Sequence, residues 1–115
     1  MLYRITLTGL AGMLFLLLTA CGQNSSTTLN IGDEVNLTGT VVDTIDDCVV
    51  DGICAFVVDT DRGRINAIWA EGMTRCAGTM DSAIAVGDTV NIRGTVTAAD
   101  SVSICGGANY FIRIA

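Results

Sequence analysis

Residues Ile31–Val41 read IGDEVNLTGTV, and residues Val86–Val96 read VGDTVNIRGTV. Seven of the eleven positions are identical, and two more exchange one apolar residue for another, Ile31 for Val86 and Leu37 for Ile92. Each copy opens on Gly-Asp, a turn signal, and continues in strict alternation. Val35, Leu37, Gly39 and Val41 share one face of the first copy, with Asn36, Thr38 and Thr40 on the other. Val90, Ile92, Gly94 and Val96 oppose Asn91, Arg93 and Thr95 in the second. This alternation predicts two half-buried strands. A Gly in the middle of each buried face costs packing, which marks a sharp bend or a close backbone approach.

The register continues beyond the strands. At the same offset of 55, Gly52 falls on Gly107, Phe56 on Phe111 and Val57 on Ile112. Each copy therefore reads as a bent strand, a loop and a second strand. Between the copies, AFVVDT and RINAIWA flank Asp61-Arg62-Gly63, which predicts a hairpin. The following EGMTRCAGTMDSAIA is poor in β-branched residues and reads as a short helix or an irregular loop. The expected order is three strands, the short helix or loop, then two strands.

The chain begins MLYRITLTGLAGMLFLLLTAC, with Arg4 ahead of an uncharged apolar run from Leu10 to Leu18. Leu18-Thr19-Ala20-Cys21 resembles the bacterial lipobox. The resemblance implies a lipoprotein signal peptide over residues 1–20, a diacylglyceryl group on the Cys21 sulfur and acylation of the new amino terminus. A membrane-spanning anchor is the competing reading, but the run falls short of the roughly 20 residues a spanning helix needs. Residues 21–30, the lipidated Cys and GQNSSTTLN, read as a small, polar, uncharged tether. The folded domain is expected over residues 31–115. The implied location is the cell envelope, and Gly22 after the Cys favours the periplasmic face of the outer membrane if the source is Gram-negative.

With Cys21 assigned to lipid, Cys48, Cys54, Cys76 and Cys105 remain, an even number in an exported chain. Four cysteines allow three pairings, among which the sequence alone does not choose. A zinc site is disfavoured because the chain has no His and no C-x-x-C pair. Six Arg, no Lys and twelve acids give a formal charge of −6, and loss of Arg4 with the leader makes it −7. So acidic a domain is poorly suited to nucleic acid. There is no His for acid–base work and no G-x-S-x-G elbow, so the chain reads as non-enzymatic, without metal or cofactor.

The strand order and the two G-D-x-V-x-[LI]-x-G-x-V strands resemble the OB-fold, an all-β, five-stranded Greek-key barrel. The resemblance covers residues 31–115 and assigns the repeated strands to strands 1 and 4, with the short helix or loop between strands 3 and 4. More narrowly, the chain resembles small envelope OB-fold proteins of bacteria, including lipoproteins of the tRNA-anticodon-like group. An SH3-like barrel or a sandwich is the alternative. Within the OB-fold reading, Cys48–Cys54 would close the first loop and Cys76–Cys105 would tie the segment after strand 3 to the second loop.

In that family ligands meet the face of strands 2 and 3. The resemblance therefore implies a non-catalytic binding module for an envelope protein or a small envelope ligand. Trp69, Arg62 and Arg64 would act on the sheet face, and Asp46, Asp47 and Asp51 on the loop. Two further readings stand beside it. The Asp-rich loop would suit a cation-binding or stress-tolerance protein, and an exposed Trp69 would suit an oligosaccharide or nucleic-acid binder.

Overall fold

The structure is a computed structural model that describes residues 29–72 and 74–115. The expected signal peptide over residues 1–20, the lipidated Cys21 and nearly all of the tether lie outside the described residues. Leu29, placed by the sequence reading in the tether, is buried in the core.

Eight strands form one mixed sheet: β1 (Glu34–Asp46), β2 (Ile53–Thr60), β3 (Gly63–Glu71), β4 (Thr74–Arg75), β5 (Thr79–Met80), β6 (Thr89–Ala98), β7 (Ser101–Ser103) and β8 (Phe111–Ile114). The two copies of the repeat are the long strands β1 and β6, and they pair with each other, antiparallel. Their ladder is centred on Leu37 opposite Ile92, two residues that occupy the same place in the repeat. The pair is thus related to itself by a local two-fold. The turns obey the same symmetry. The Gly32 N–H donates to Val96 O and the Val96 N–H to Asp33 O, while the Gly87 N–H donates to Val41 O and the Val41 N–H to Asp88 O. Gly32 and Gly87 hold φ of 95° and 97°, a region closed to most side chains.

Gly39 and Gly94 are places of close approach. Gly39 lies where β1 passes from β6 to β2, paired with Val90 on one side and Thr60 on the other. A Cβ there would strike the carbonyl oxygen of Asp59. At Gly94 a Cβ would sit 2.5 Å from Ser103 O and 2.9 Å from Val102 Cγ1. The inward face around them carries Val41, Val58, Val90, Ile92, Val96, Val102 and Ile112, each no more than 1% exposed. Each such aliphatic side chain contributes roughly 1.5–3 kcal/mol by leaving water.

The repeat does not extend past this pair. Phe56 in β2 stands opposite Thr44, in the C-terminal half of β1, whereas Phe111 in β8 stands opposite Arg93, in the N-terminal half of β6. The C-terminal half of β6 is taken by β7 instead. The shared offset of 55 between the two Phe residues therefore carries no shared structural role.

The five-stranded OB-fold-like Greek-key barrel expected from the sequence is corrected. Ladders do run in a ring from β1 through β2, β3, β7 and β6 back to β1, but that ring is not a barrel of five strands. The sheet continues from β6 into β8 and β5, β4 hangs from β3, and the β3–β7 and β5–β8 pairings are parallel. No helix lies between β3 and β6 among the described residues; β4 and β5 stand there. The physical reason is backbone satisfaction. The Ala77, Gly78 and Thr79 N–H groups donate to the carbonyls of Cys105, Ile104 and Tyr110, which draws this segment into the sheet.

Gly39→Ala and Gly94→Ala should each cost roughly 1–3 kcal/mol through overpacking. Gly106→Ala, whose nearest atom would be 3.9 Å away, should stay within about 0.5 kcal/mol of the parent. Urea denaturation of the three variants checks the contrast.

Candidate functional site

The β1–β2 connection is a compact loop whose tip is apolar. Cys48 is bonded to Cys54, and Cys76 to Cys105. The first bridge closes the sequence CVVDGIC, with Cys54 fully buried beside Ala70 and Trp69. At the base of the ring, Asp47 O accepts the N–H groups of Val50, Asp51 and Gly52, and the Asp47 N–H donates to Ile53 O at 2.9 Å. The Gly72 N–H donates to Gly52 O at 2.8 Å and ties the loop to the end of β3. These bonds leave Val49 and Val50 pointing to solvent, 69% and 87% exposed. Asp46, Asp47 and Asp51 surround them, all exposed.

Asp46, Cys48 and Cys54 bring ligand-type atoms within 4.8 Å of one another. Cys54 Sγ lies 3.4 Å from Asp46 Oδ1. Both sulfurs are spent in the disulfide, so they carry neither a proton to donate nor a thiolate to coordinate. The sequence reading of the Asp loop did not foresee that Asp46 would lie against a bridge sulfur. No local sequence pattern carried it: the contact follows from the β1–β2 register, which sets Asp46 opposite Cys54.

The binding residues expected on the sheet face do not converge. Arg62 sits in the two-residue turn between β2 and β3, its N–H donating to Thr60 Oγ1. Arg64 stands opposite Asp59 across the β2–β3 ladder and grips it twice, Nε to Oδ1 at 2.6 Å and a terminal nitrogen to Oδ2 at 3.1 Å. That guanidinium holds the Asp59 carboxyl below the usual carboxylate range, and Asp59 raises Arg64 in return. Trp69 lies five residues further along β3, about 16 Å away at roughly 3.3 Å per residue.

A bulge sets the position of Trp69. Cys54 pairs with Ala70 and Ala55 with Ile68, so Trp69 has no direct partner on β2. Strict alternation along RINAIWA would set Trp69 on one face with Ile65 and Ala67, and the bulge breaks that alternation. Its half-buried ring lies 6.5 Å from that of Phe56, packs against both apolar clusters, and lines a cleft of about 330 Å3 with Cys76, Gly78, Thr79, Met80 and Ile104.

The OB-fold binding module drawn from the sequence is therefore corrected, together with its two variants, the cation-binding Asp loop and the oligosaccharide or nucleic-acid platform. Trp69 and the aspartates stand at one end of the β2–β3 hairpin and the arginines at the other. The chain matches no family model, no curated protein and no solved structure. The kinship to envelope OB-fold lipoproteins is corrected on the same finding.

Replacing both members of the Cys48–Cys54 bridge by Ala should cost about 2.5 kcal/mol, and replacing Cys76–Cys105 about 3.5 kcal/mol, because the second closes a longer loop; denaturant midpoints under non-reducing conditions check the order. In Arg64→Ala, the Asp59 titration followed by NMR should move up to the ordinary carboxylate value. Because the folded pKa of Asp59 is depressed, its contribution is present above the unfolded value and lost as pH falls through the folded one. The variant should lose that contribution at neutral pH and be less sensitive to acid there, by a small amount since the pair is exposed.

Proposed function

We propose that the protein is an exported domain, held at the cell envelope by lipid on Cys21, that docks another envelope protein through the tip of its disulfide-closed loop. The observation that carries this reading is the pair Val49 and Val50. They are adjacent, strongly exposed and set on a loop fixed by a covalent bridge and by the hydrogen bonds to Asp47 O. An isolated apolar residue at the surface is ordinary. Two in succession on a rigid loop form an anchor whose ordering cost is met before binding.

The exposed acids around the tip define the partner's chemistry, an apolar hollow with a cationic rim. Specific interfaces bury roughly 800 Å2 per partner, so the valines would be the centre of a wider contact. The location is supported by the apolar leader ending in Leu18-Thr19-Ala20-Cys21 and by four cysteines joined in two bridges, which suits an oxidising compartment. Docking rather than catalysis also suits a chain without His whose domain cysteines are all bonded.

A photo-crosslinking residue at position 50 of the full chain, in intact cells, should give one discrete adduct with an envelope protein. Val49→Asp should abolish it, and the same probe at Ile31, itself 72% exposed, should not form it. Equal adducts from positions 31 and 50 would sink the docking role. Cys21→Ser should release the protein from the membrane fraction, and its retention there would sink the anchor.

A further inference from the structure

The outward face of β1, β6 and β8 carries a second feature, independent of the loop. The register sets Asn36, Arg93 and Phe111 in one row across the three strands and Thr38, Asn91 and Arg113 in the next. A groove of about 330 Å3 runs over this face and reaches Ile114, which is 45% exposed.

Its polar groups are mostly donors. Thr38 Oγ1 donates to Asn91 Oδ1 at 2.7 Å, so this exposed amide is engaged through its oxygen and its NH2 donors remain to be used. The Arg113 guanidinium lies over the Phe111 ring, 4.1 Å from its centroid. A stacked guanidinium keeps its N–H edges available for a planar, two-oxygen acceptor. Among the described residues no carboxylate pairs with Arg113, whereas Arg64 and Arg93 are held by Asp59 and Glu34. No acid lines the groove, in a chain with twelve of them. The carboxylate of Asp81 at its edge accepts the backbone N–H of Ile114 at 2.9 Å.

We infer that this groove binds a small organic carboxylate. The carboxylate oxygens take the N–H edge of Arg113 and the amide NH2 of Asn91, and the apolar body of the ligand lies against the rim of Phe111 and Ile114. The apolar wall selects against bare inorganic oxyanions, which have nothing to place there. The absence of lining acids selects against cations.

The test is calorimetric titration of the full-length chain in non-ionic detergent with benzoate, cyclohexanecarboxylate and glucuronate. Benzamide serves as the neutral match and inorganic phosphate as the bare oxyanion. Saturable binding of at least one carboxylate is expected, with benzamide and phosphate at least tenfold weaker. Arg113→Ala should weaken the carboxylate about tenfold or more, the scale of a charge-assisted hydrogen bond. Arg113→Lys should restore only part of that loss. Arg62→Ala, a cation at the remote hairpin turn, should leave it unchanged. Circular dichroism should show all three variants folded, since Arg113 is exposed and Arg62 lies in a turn. The inference is overturned by no saturable binding across the three carboxylates, by phosphate or benzamide binding as tightly, or by an Arg62→Ala loss equal to that of Arg113→Ala.

Discussion

The antiparallel ladder between β1 and β6 is the constraint on which the rest of the sheet depends. It joins two strands far apart in sequence, and its centre sets Leu37 against Ile92. Every other long strand attaches to one of these two or to their neighbours. β2 takes the C-terminal half of β1, β7 and β8 divide the free edge of β6, and β3 closes the circuit by pairing with β2 and β7. The neighbours of this pair close on it only because Gly39 lets β2 approach β1 at Asp59 and Gly94 lets β7 approach β6 at Ser103 without a side chain between. Two missing Cβ atoms are thus a condition for the whole arrangement. The near-identity of the two stretches follows from the local two-fold, since strands related by such an axis meet the same packing problem.

The two disulfides act where apolar packing is thinnest. A domain of this size buries a modest fraction of its surface and gains from covalent staples. Cys76–Cys105 joins the stretch carrying β4 and β5 to the excursion between β7 and β8. Those strands are only two residues long. Cys48–Cys54 closes the other irregular region and forms its own small cluster with Ala70 and Trp69. The staples therefore leave the sheet to hydrophobic packing and fix the segments that leave it.

The surface charge is organised by pairing rather than by sign alone. Asp59 holds Arg64 across β2 and β3, while Glu34 holds Arg93 and also accepts a hydrogen bond from the Tyr110 hydroxyl. These pairs remove cations from an already acidic exterior. Against that background an acid-rimmed apolar tip and an acid-free groove are distinct chemical environments. The tip suits a protein hollow with cationic edges, and the groove suits a small anion with an apolar body.

Strict alternation in Ile31–Val41 and Val86–Val96 determined by itself that these stretches are strands, which face is buried, and where a glycine is indispensable, because a period of two maps directly onto a pleated strand. The β2–β3 hairpin was legible in Asp61-Arg62-Gly63 for a similar local reason. The sequence could not announce β4, β5 and β7, since strands of two or three residues carry no periodicity and exist only where a distant backbone offers hydrogen bonds. The number of strands and the parallel pairings were consequently decided in three dimensions. So was the fate of the expected site. Arg62, Arg64 and Trp69 share a strand and its turn, yet strand length and a bulge at Trp69 hold them apart. The groove residues Asn36, Asn91 and Arg113 are scattered along the chain, and they meet only because β1 and β8 both lie beside β6. Local pattern fixed the strands; long-range backbone pairing fixed which side chains became neighbours.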